Sequence, residues 1–231
     1  DFLTEIEEFN KNVIYDFTLD SYGFNGNTTA FLEIEDGINE RGLAVGMTSV
    51  FPKHIQPGMN SGMLLRFFLE KCSTVDEVIK WLHRIPIASA QTFTVADQMG
   101  DISVIECCAD SIHIRKPEEG QPYVCAVNRF HSPELEKWNT GEMDDWLSSQ
   151  RYETMEKTLS REAPQMDISI AKELLSGKKG FICQYDRDTG KDTVWSVIYD
   201  LKHHKIYRAE GNPARCVYQE EQRVVFQPNK Q

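Results

Sequence analysis

The stretch from Glu33 to Val50, EIEDGINERGLAVGMTSV, constrains the fold more than any other part of this chain. Glu33, Ile34 and Glu35 end one extended run, Asp36-Gly37 is a turn dipeptide, and Asn39-Glu40-Arg41-Gly42 makes a second polar corner that ends in glycine. Leu43-Ala44-Val45-Gly46-Met47 is then apolar at every position, as a strand buried on both faces must be. Strand, tight turn, strand is the expected local structure, and a sheet covered on both sides is the expected setting. Read alone, it is an ordinary β-hairpin.

The remaining pattern alternates between sheet and helix in blocks. Asp1 to Asn10 is weakly helical, Val13 to Leu19 alternates loosely, Ser21 to Asn27 reads as a Gly/Asn loop, and Thr28 to Glu35 reads as a strand. After a loop from Phe51 to Ser61, two helices follow. Gly62 to Cys72 sets Leu64, Leu65, Phe68 and Leu69 at helical spacing. Thr74-Val-Asp-Glu77 matches a capping box, and Val75, Val78, Ile79, Leu82 and Ile85 then share one face up to Pro86. A β-rich block covers Thr92–Ala96, Ile102–Cys107, Ser111–Arg115 and Tyr123–Val127. Glu142 to Glu162 and Ile168 to Leu175 read as helices. Strands are expected near Phe181–Tyr185, Thr193–Leu201, Lys205–Ala209 and Val224–Phe226. Helices with one apolar face need a sheet to cover, and strands apolar on both faces need a second sheet. The expected fold is therefore α+β, a four-layer α-β-β-α sandwich. With 231 residues, no repeat and no linker, one domain over 1–231 is expected.

Composition removes several classes of function. A net charge of −11 lacks the basic footprint that nucleic acid or an anionic membrane requires. No apolar run approaches a membrane span, and no signal peptide is visible. The cysteines Cys72, Cys107, Cys108, Cys125, Cys183 and Cys216 form no C-x-x-C and lie mostly in apolar runs. They read as buried reduced thiols of a cytoplasmic protein. The histidines, His203-His204 included, have no metal-ligand spacing, so neither a metal nor another cofactor is expected.

Two polar side chains stand out. Asn128 ends the apolar run Tyr123–Val127; it is either a turn former or an amide N–H₂ directed at a developing oxyanion. Arg151 falls in a stripe with Leu147, Met155 and Leu159 if Glu142–Glu162 is one helix. There it either snorkels to the rim or lines a cavity, because an unpaired buried charge costs on the order of 3–5 kcal/mol.

Beyond these patterns, DGINERGLAVGMT closely resembles the D-G-x-N-E-x-G-L-A-V-G hairpin of the choloylglycine hydrolase and penicillin acyltransferase group. That group is a branch of the N-terminal-nucleophile (Ntn) hydrolases. NSGMLLRFFLEKCSTVDEVIKWL resembles the group's helix pair, AVNRFHS its active-site asparagine segment, and SSQRY its S-x-x-R-F/Y segment. DTVWSVIYDLKHHKIYRAEGNP resembles its terminal T-x-W-S-x-I-x-D … G-x-P pattern, and a structural role is expected for Thr193 to Asp200. The resemblance implies hydrolysis of a linear C–N amide by an N-terminal cysteine, whose thiol attacks the carbonyl and whose α-amine is the base. An α-amine pKa of about 7.7–8.0 suits that task. It also implies oxyanion contacts from Asn128, a positioning role for Arg151 and autoproteolytic processing. Acyl transfer to an amine uses the same machinery. The expected partner is a small-molecule amide, and its identity and the oligomeric state, a homo-oligomer included, stay open.

The first residue is Asp1, not cysteine. Asp1-Phe2 resembles the last two residues of the group's G-R-N-x-D-F segment, which implies that Asp1 holds the cysteine's amine and that the nucleophile lies ahead of it. A non-catalytic ligand-binding domain is the rival if the protein truly starts at Asp1. Residues 1–231 alone are expected to be inert towards amides, because no acyl-enzyme can form without the terminal thiol. Expressing the chain with and without its upstream residues, then measuring amide hydrolysis and thiol labelling, checks this. Equal turnover by the two forms would refute the N-terminal-nucleophile mechanism.

Overall fold

A computed structural model describes residues 2–16, 20–139 and 145–223. In chain order the strands are β1 (Phe2–Leu3), β2 (Lys11–Tyr15), β3 (Phe24–Thr28), β4 (Asp36–Asn39), β5 (Ala44–Ser49), β6 (Gln91–Ala96), β7 (Ile102–Cys108), β8 (Ser111–Arg115), β9 (Lys191–Asp192), β10 (Trp195–Asp200), β11 (Lys205–Glu210) and β12 (Gln219–Glu220). The helices are α1 (Ser61–Lys71), α2 (Val75–Leu82), α3 (Pro133–Glu136), α4 (Ser148–Glu162) and α5 (Ile168–Leu175). Strands β2 to β8 form one seven-stranded antiparallel sheet in sequence order, β10–β11–β12 form a second sheet, and β1 pairs with β9.

The layering follows from which side chains each face presents. Phe24, Val45, Phe93, Val95, Ile105 and Cys107 meet Leu64, Leu65, Phe68 and Leu69 of α1 and Val75, Val78 and Leu82 of α2. From the opposite face of the same sheet, Ile38 and Ala44 meet Ile206, Val197 and Tyr199 of the second sheet. The outer face of that second sheet carries α5, whose Lys172 ammonium lies 4.5 Å from the centre of the Tyr207 ring. Helix α4 packs beside α5. The order is helix, sheet, sheet, helix, and the four-layer sandwich expected from the pattern is the observed architecture. Among the described residues, no helix is long and apolar enough to cross a membrane.

Several local expectations are corrected, each for a visible reason. Asp36-Gly37 is not a turn but the start of β4, and the corner is Glu40–Gly42. Gly37 lies opposite Gly26 on β3. A Cβ on Gly37 would come within 2.5 Å of Leu69 Cδ1 and 2.8 Å of the Asn25 carbonyl oxygen, so glycine is there to admit α1. Asn39 closes the corner instead: its Oδ1 accepts from the Arg41 and Leu43 amides at 3.1 and 3.0 Å. Its Nδ2 donates to the Leu69 and Cys72 carbonyls at 2.8 and 2.7 Å, tying the hairpin to α1.

The Gly/Asn stretch read as a loop is largely the buried strand β3, because Asn25 and Asn27 find partners in Asn12 and Asp36. Conversely, most of Thr28–Glu35 is a loop, with Phe31 at φ 56°. Tyr123–Val127 and Phe181–Tyr185 are not strands. Side chains satisfy their backbones: Arg115 Nη1 donates to the Cys125 carbonyl at 3.2 Å and Thr48 Oγ1 to that of Val127 at 2.8 Å. Gln184 Oε1 accepts from the Ile182 and Cys183 amides at 2.8 and 3.0 Å. Helix α4 begins at Ser148, because Trp146 and Leu147 are left-handed at φ 51° and 55°. Helix α2 ends at Leu82, ahead of Pro86. The strand expected near Val224–Phe226 lies outside the described residues.

Gly37→Ala is expected to cost about 1–3 kcal/mol, as overpacking against a backbone carbonyl does. The measurement is the urea midpoint at unchanged slope.

Candidate active site

Asn128 leaves the irregular segment 123–128 just beyond the end of β5. Its backbone amide donates to Ser148 Oγ at 3.1 Å and its Nδ2 to the Ser49 carbonyl at 2.9 Å. Arg151, one turn into α4, donates from Nη2 to Asn128 Oδ1 at 2.9 Å. That bond fixes which end of the carboxamide is which. With Oδ1 turned to the guanidinium and one Nδ2 hydrogen on Ser49, the second Nδ2 hydrogen remains for another acceptor.

Arg151 is only 9 % exposed, and its surroundings differ from the apolar stripe expected. Leu147 is exposed, and the buried face of α4 carries Ser148, Arg151 and Thr158. The guanidinium hydrogen-bonds backbone oxygens and neutral side chains, with Asp145 and Tyr185 also acting on it. Nε donates to the Trp146 carbonyl at 2.9 Å, and Nη2 reaches the Asp145 carbonyl and Ser148 Oγ, both at 3.1 Å. Left-handed Trp146 and Leu147 curl these carbonyls back towards the helix they precede. Burial lowers the Arg151 pKa, and the neighbouring Tyr185 and Asp145 oppose that shift. Tyr185 braces the same loop from outside, its hydroxyl donating to the Trp146 carbonyl at 2.7 Å.

Both residues line a cavity of about 690 Å³ between the sheets. Met47, Trp146, Leu175, Trp195 and Val197 supply apolar wall, while Glu35, Asp36 and Thr48 add polar groups. The Glu35 carboxyl is pushed up, chiefly by burial, although Thr29 donates to its Oε1 from Oγ1 at 2.5 Å and from the backbone at 3.1 Å. Trp195 Nε1 donates to Asp36 Oδ2 at 2.7 Å. Trp195 and Val197 thus bring part of the segment read as structural to the cavity. None of the six cysteines lines it, and all are unpaired. Burial pushes the Cys72, Cys107 and Cys125 thiols up to about 12. Among the described residues, no group of three or more His, Cys, Asp or Glu is placed to hold a metal ion. Asp1 lies outside the described residues.

Sequence reasoning missed Trp146, Ser148 and Tyr185. Ser148 stands in the quoted SSQRY segment, but the other two carry no local signal. They are brought in by the left-handed break before α4 and by the chain's return at Tyr185.

The family model for acyl-coenzyme A:6-aminopenicillanic acid acyl-transferase matches residues 5–215. The chain belongs to that family. No curated protein sequence matches it. Among solved structures, penicillin V acylase from Agrobacterium tumefaciens is similar over 82 % of this chain and 66 % of its own, with 18 % identity and a TM-score of 0.54. A variant of conjugated bile acid hydrolase from Clostridium perfringens is similar over 97 % of this chain and 93 % of its own, with 12 % identity and a TM-score of 0.62. The N-acylethanolamine-hydrolyzing acid amidase ortholog of Caenorhabditis elegans covers 87 % and 84 %, with 15 % identity and a TM-score of 0.55. At these identities the likeness establishes the fold, that of the Ntn hydrolases, and the family falls in that group.

Arg151→Met is expected to lower stability by on the order of 1–3 kcal/mol, because Asn128 Oδ1 loses this donor and the Trp146 and Asp145 carbonyls each lose one of theirs. Chemical denaturation of the variant beside the parent measures the loss.

Proposed function

We propose that the chain is the body of an Ntn-type enzyme that opens linear amide C–N bonds through a thioester acyl-enzyme. The observation that carries this reading is the 2.9 Å bond from Arg151 to Asn128 Oδ1 inside the inter-sheet cavity. It turns the carboxamide so that an N–H is available to an oxygen developing charge in the cavity. Membership of a family named for acyl transfer supports the same chemistry.

In this reading the nucleophile is an N-terminal cysteine thiol, which in the present numbering precedes Asp1, and Asp1 holds its amine. The thiol attacks the amide carbon as the α-amine takes its proton, and the carbonyl oxygen gains charge against Asn128 Nδ2. Collapse expels the amine, which leaves with that proton, and the acyl group stays on sulfur. Water then attacks the thioester and returns the thiol. Arg151 serves indirectly, orienting Asn128.

The family's description favours a second reading in which an amine, not water, accepts the acyl group. The walls formed by Met47, Trp146, Trp195 and Val197 would help an apolar acceptor to compete with water. Offering an N-acyl amide with and without a competing amine, and measuring the ratio of transfer product to free acid, separates the two readings.

Asn128→Ala is expected to lower kcat by on the order of 100–1,000-fold, as loss of one oxyanion donor does. Steady-state kinetics on the protein with its upstream residues checks this, and an unchanged kcat removes Asn128 from the mechanism.

A further inference from the structure

Segment 123–132 carries Asn128 but has almost no sheet to hold it: among the described residues its one β-bridge is the local pair Val127 and Arg129. Its register must therefore come from side chains. Glu106, on β7, is fully buried and takes three donors. Oε1 accepts from Arg115 Nη1 at 3.1 Å and from the His131 amide at 2.8 Å, and Oε2 accepts from the Ser132 amide at 2.8 Å. Arg115, on β8, also reaches the segment from the other side: its Nη1 donates to the Cys125 carbonyl at 3.2 Å. One ion pair thus grips the chain three residues before Asn128 and again three and four residues after it.

The same pair touches the helix that bears Arg151. Arg115 Nη2 donates to the Tyr152 hydroxyl at 2.9 Å, and Tyr152 follows Arg151 directly on α4. The Tyr152 ring stacks on His131, with centroids 3.8 Å apart. Both partners of the Asn128–Arg151 bond are therefore anchored to one group outside the cavity. An ion pair with a fully buried carboxylate is a stiff anchor. Removing one partner strands the other, and every donor to Glu106 becomes unsatisfied if the carboxylate moves.

We propose that the Glu106–Arg115 pair is a positioning device that holds Asn128 in register with Arg151, and that Glu106, Arg115 and Tyr152 are positioning residues for the reaction. The proposal rests on the reading of Asn128 as the oxyanion donor. A donor displaced by a fraction of its bond length loses most of its effect on a charge that develops at one point.

The test uses the protein with its upstream residues, labelled with ¹⁵N. The Asn128 carboxamide signals are assigned by their loss in Asn128→Ala. In Glu106→Gln these signals are expected to move towards the unstructured position, while those of the buried Asn39 and Asn212 stay in place. Turnover of an N-acyl amide is expected to fall on the order of 100-fold in kcat with little change in KM. On the Asn128→Ala background the same substitution is expected to cost no more than about twofold, because its target is already gone. Tyr152→Phe, which keeps the stack on His131 and removes one bond from Arg115, is the second variant should Glu106→Gln not fold. It is expected to shift the same signals with a smaller loss of kcat. Unmoved Asn128 signals in the variants that fold would overturn the proposal, as would an equal loss of kcat with and without Asn128. Should the protein turn over no amide, the proposed reaction fails, and the carboxamide signals still decide whether the ion pair positions Asn128.

Discussion

The two sheets are joined at the cavity by one carboxylate. Asp36 accepts from Asn27 Nδ2 on the neighbouring strand β3, from Trp195 Nε1 at 2.7 Å and from the Tyr199 hydroxyl at 2.5 Å, the last two reaching across from β10. Hydrogen bonds to a charged group are worth about 1.5–3 kcal/mol each, enough to fix one sheet over the other in a single register. Burial, and then Asp36 itself, raises the Tyr199 pKa well above that of an ordinary phenol, so its hydroxyl keeps the proton it donates. From this joint the rest follows. Val197 and Tyr199 meet Ile38 and Ala44, Trp195 becomes a wall, and the space left between them is the cavity.

This dependence explains which parts of the fold the sequence discloses. Periodic signals survive folding: α1, β6, β7, β8 and α5 lie where apolar spacing puts them, because each buries one face against a flat partner. Asn and Gly mislead, since their preference for turns reflects freedom and competing side-chain bonds that a tertiary partner can override. Asp36-Gly37 extends because α1 needs the space over Gly37 and β10 needs the Asp36 carboxylate. Phe24–Thr28 extends because Asn12 and Asp36 satisfy its asparagines. Both causes lie far away in sequence. The opposite error, an apolar run taken for a strand at Tyr123–Val127, arises because burial alone does not say whether a ladder or side chains satisfy the backbone.

The site divides in the same way. Asn128 and Arg151 were legible as residues, one by its place at the end of an apolar run and one as a charge on a helix. Their mutual bond was not, because it depends on a left-handed break at Trp146-Leu147 that no propensity favours. That break does chemical work. A regular helix through residue 147 would direct the carbonyls of Asp145 and Trp146 along its own axis. Broken, it turns them onto the Arg151 guanidinium.

The internal thiols show the other side of that electrostatic argument. Cys72 and Cys107 pack beneath α1 and α2, and Cys125 lies behind Asn128 towards Glu156. Moving a thiol from 9.0 to about 12 cuts its thiolate fraction at neutral pH by about a thousandfold, and burial is the main cause in all three. These residues act as small apolar fillers, and their number says nothing about nucleophilic chemistry. What distinguishes a nucleophile is its surroundings. A thiol within the cavity would face the Arg151 guanidinium and the Asn128 carboxamide, not the side chains of Phe68 and Phe93. Buried cysteines stay protonated because low dielectric penalises the thiolate, and a nearby fixed positive charge works in the opposite direction. Among the described residues, the cavity that holds Arg151 and Asn128 is lined by none of the chain's own cysteines.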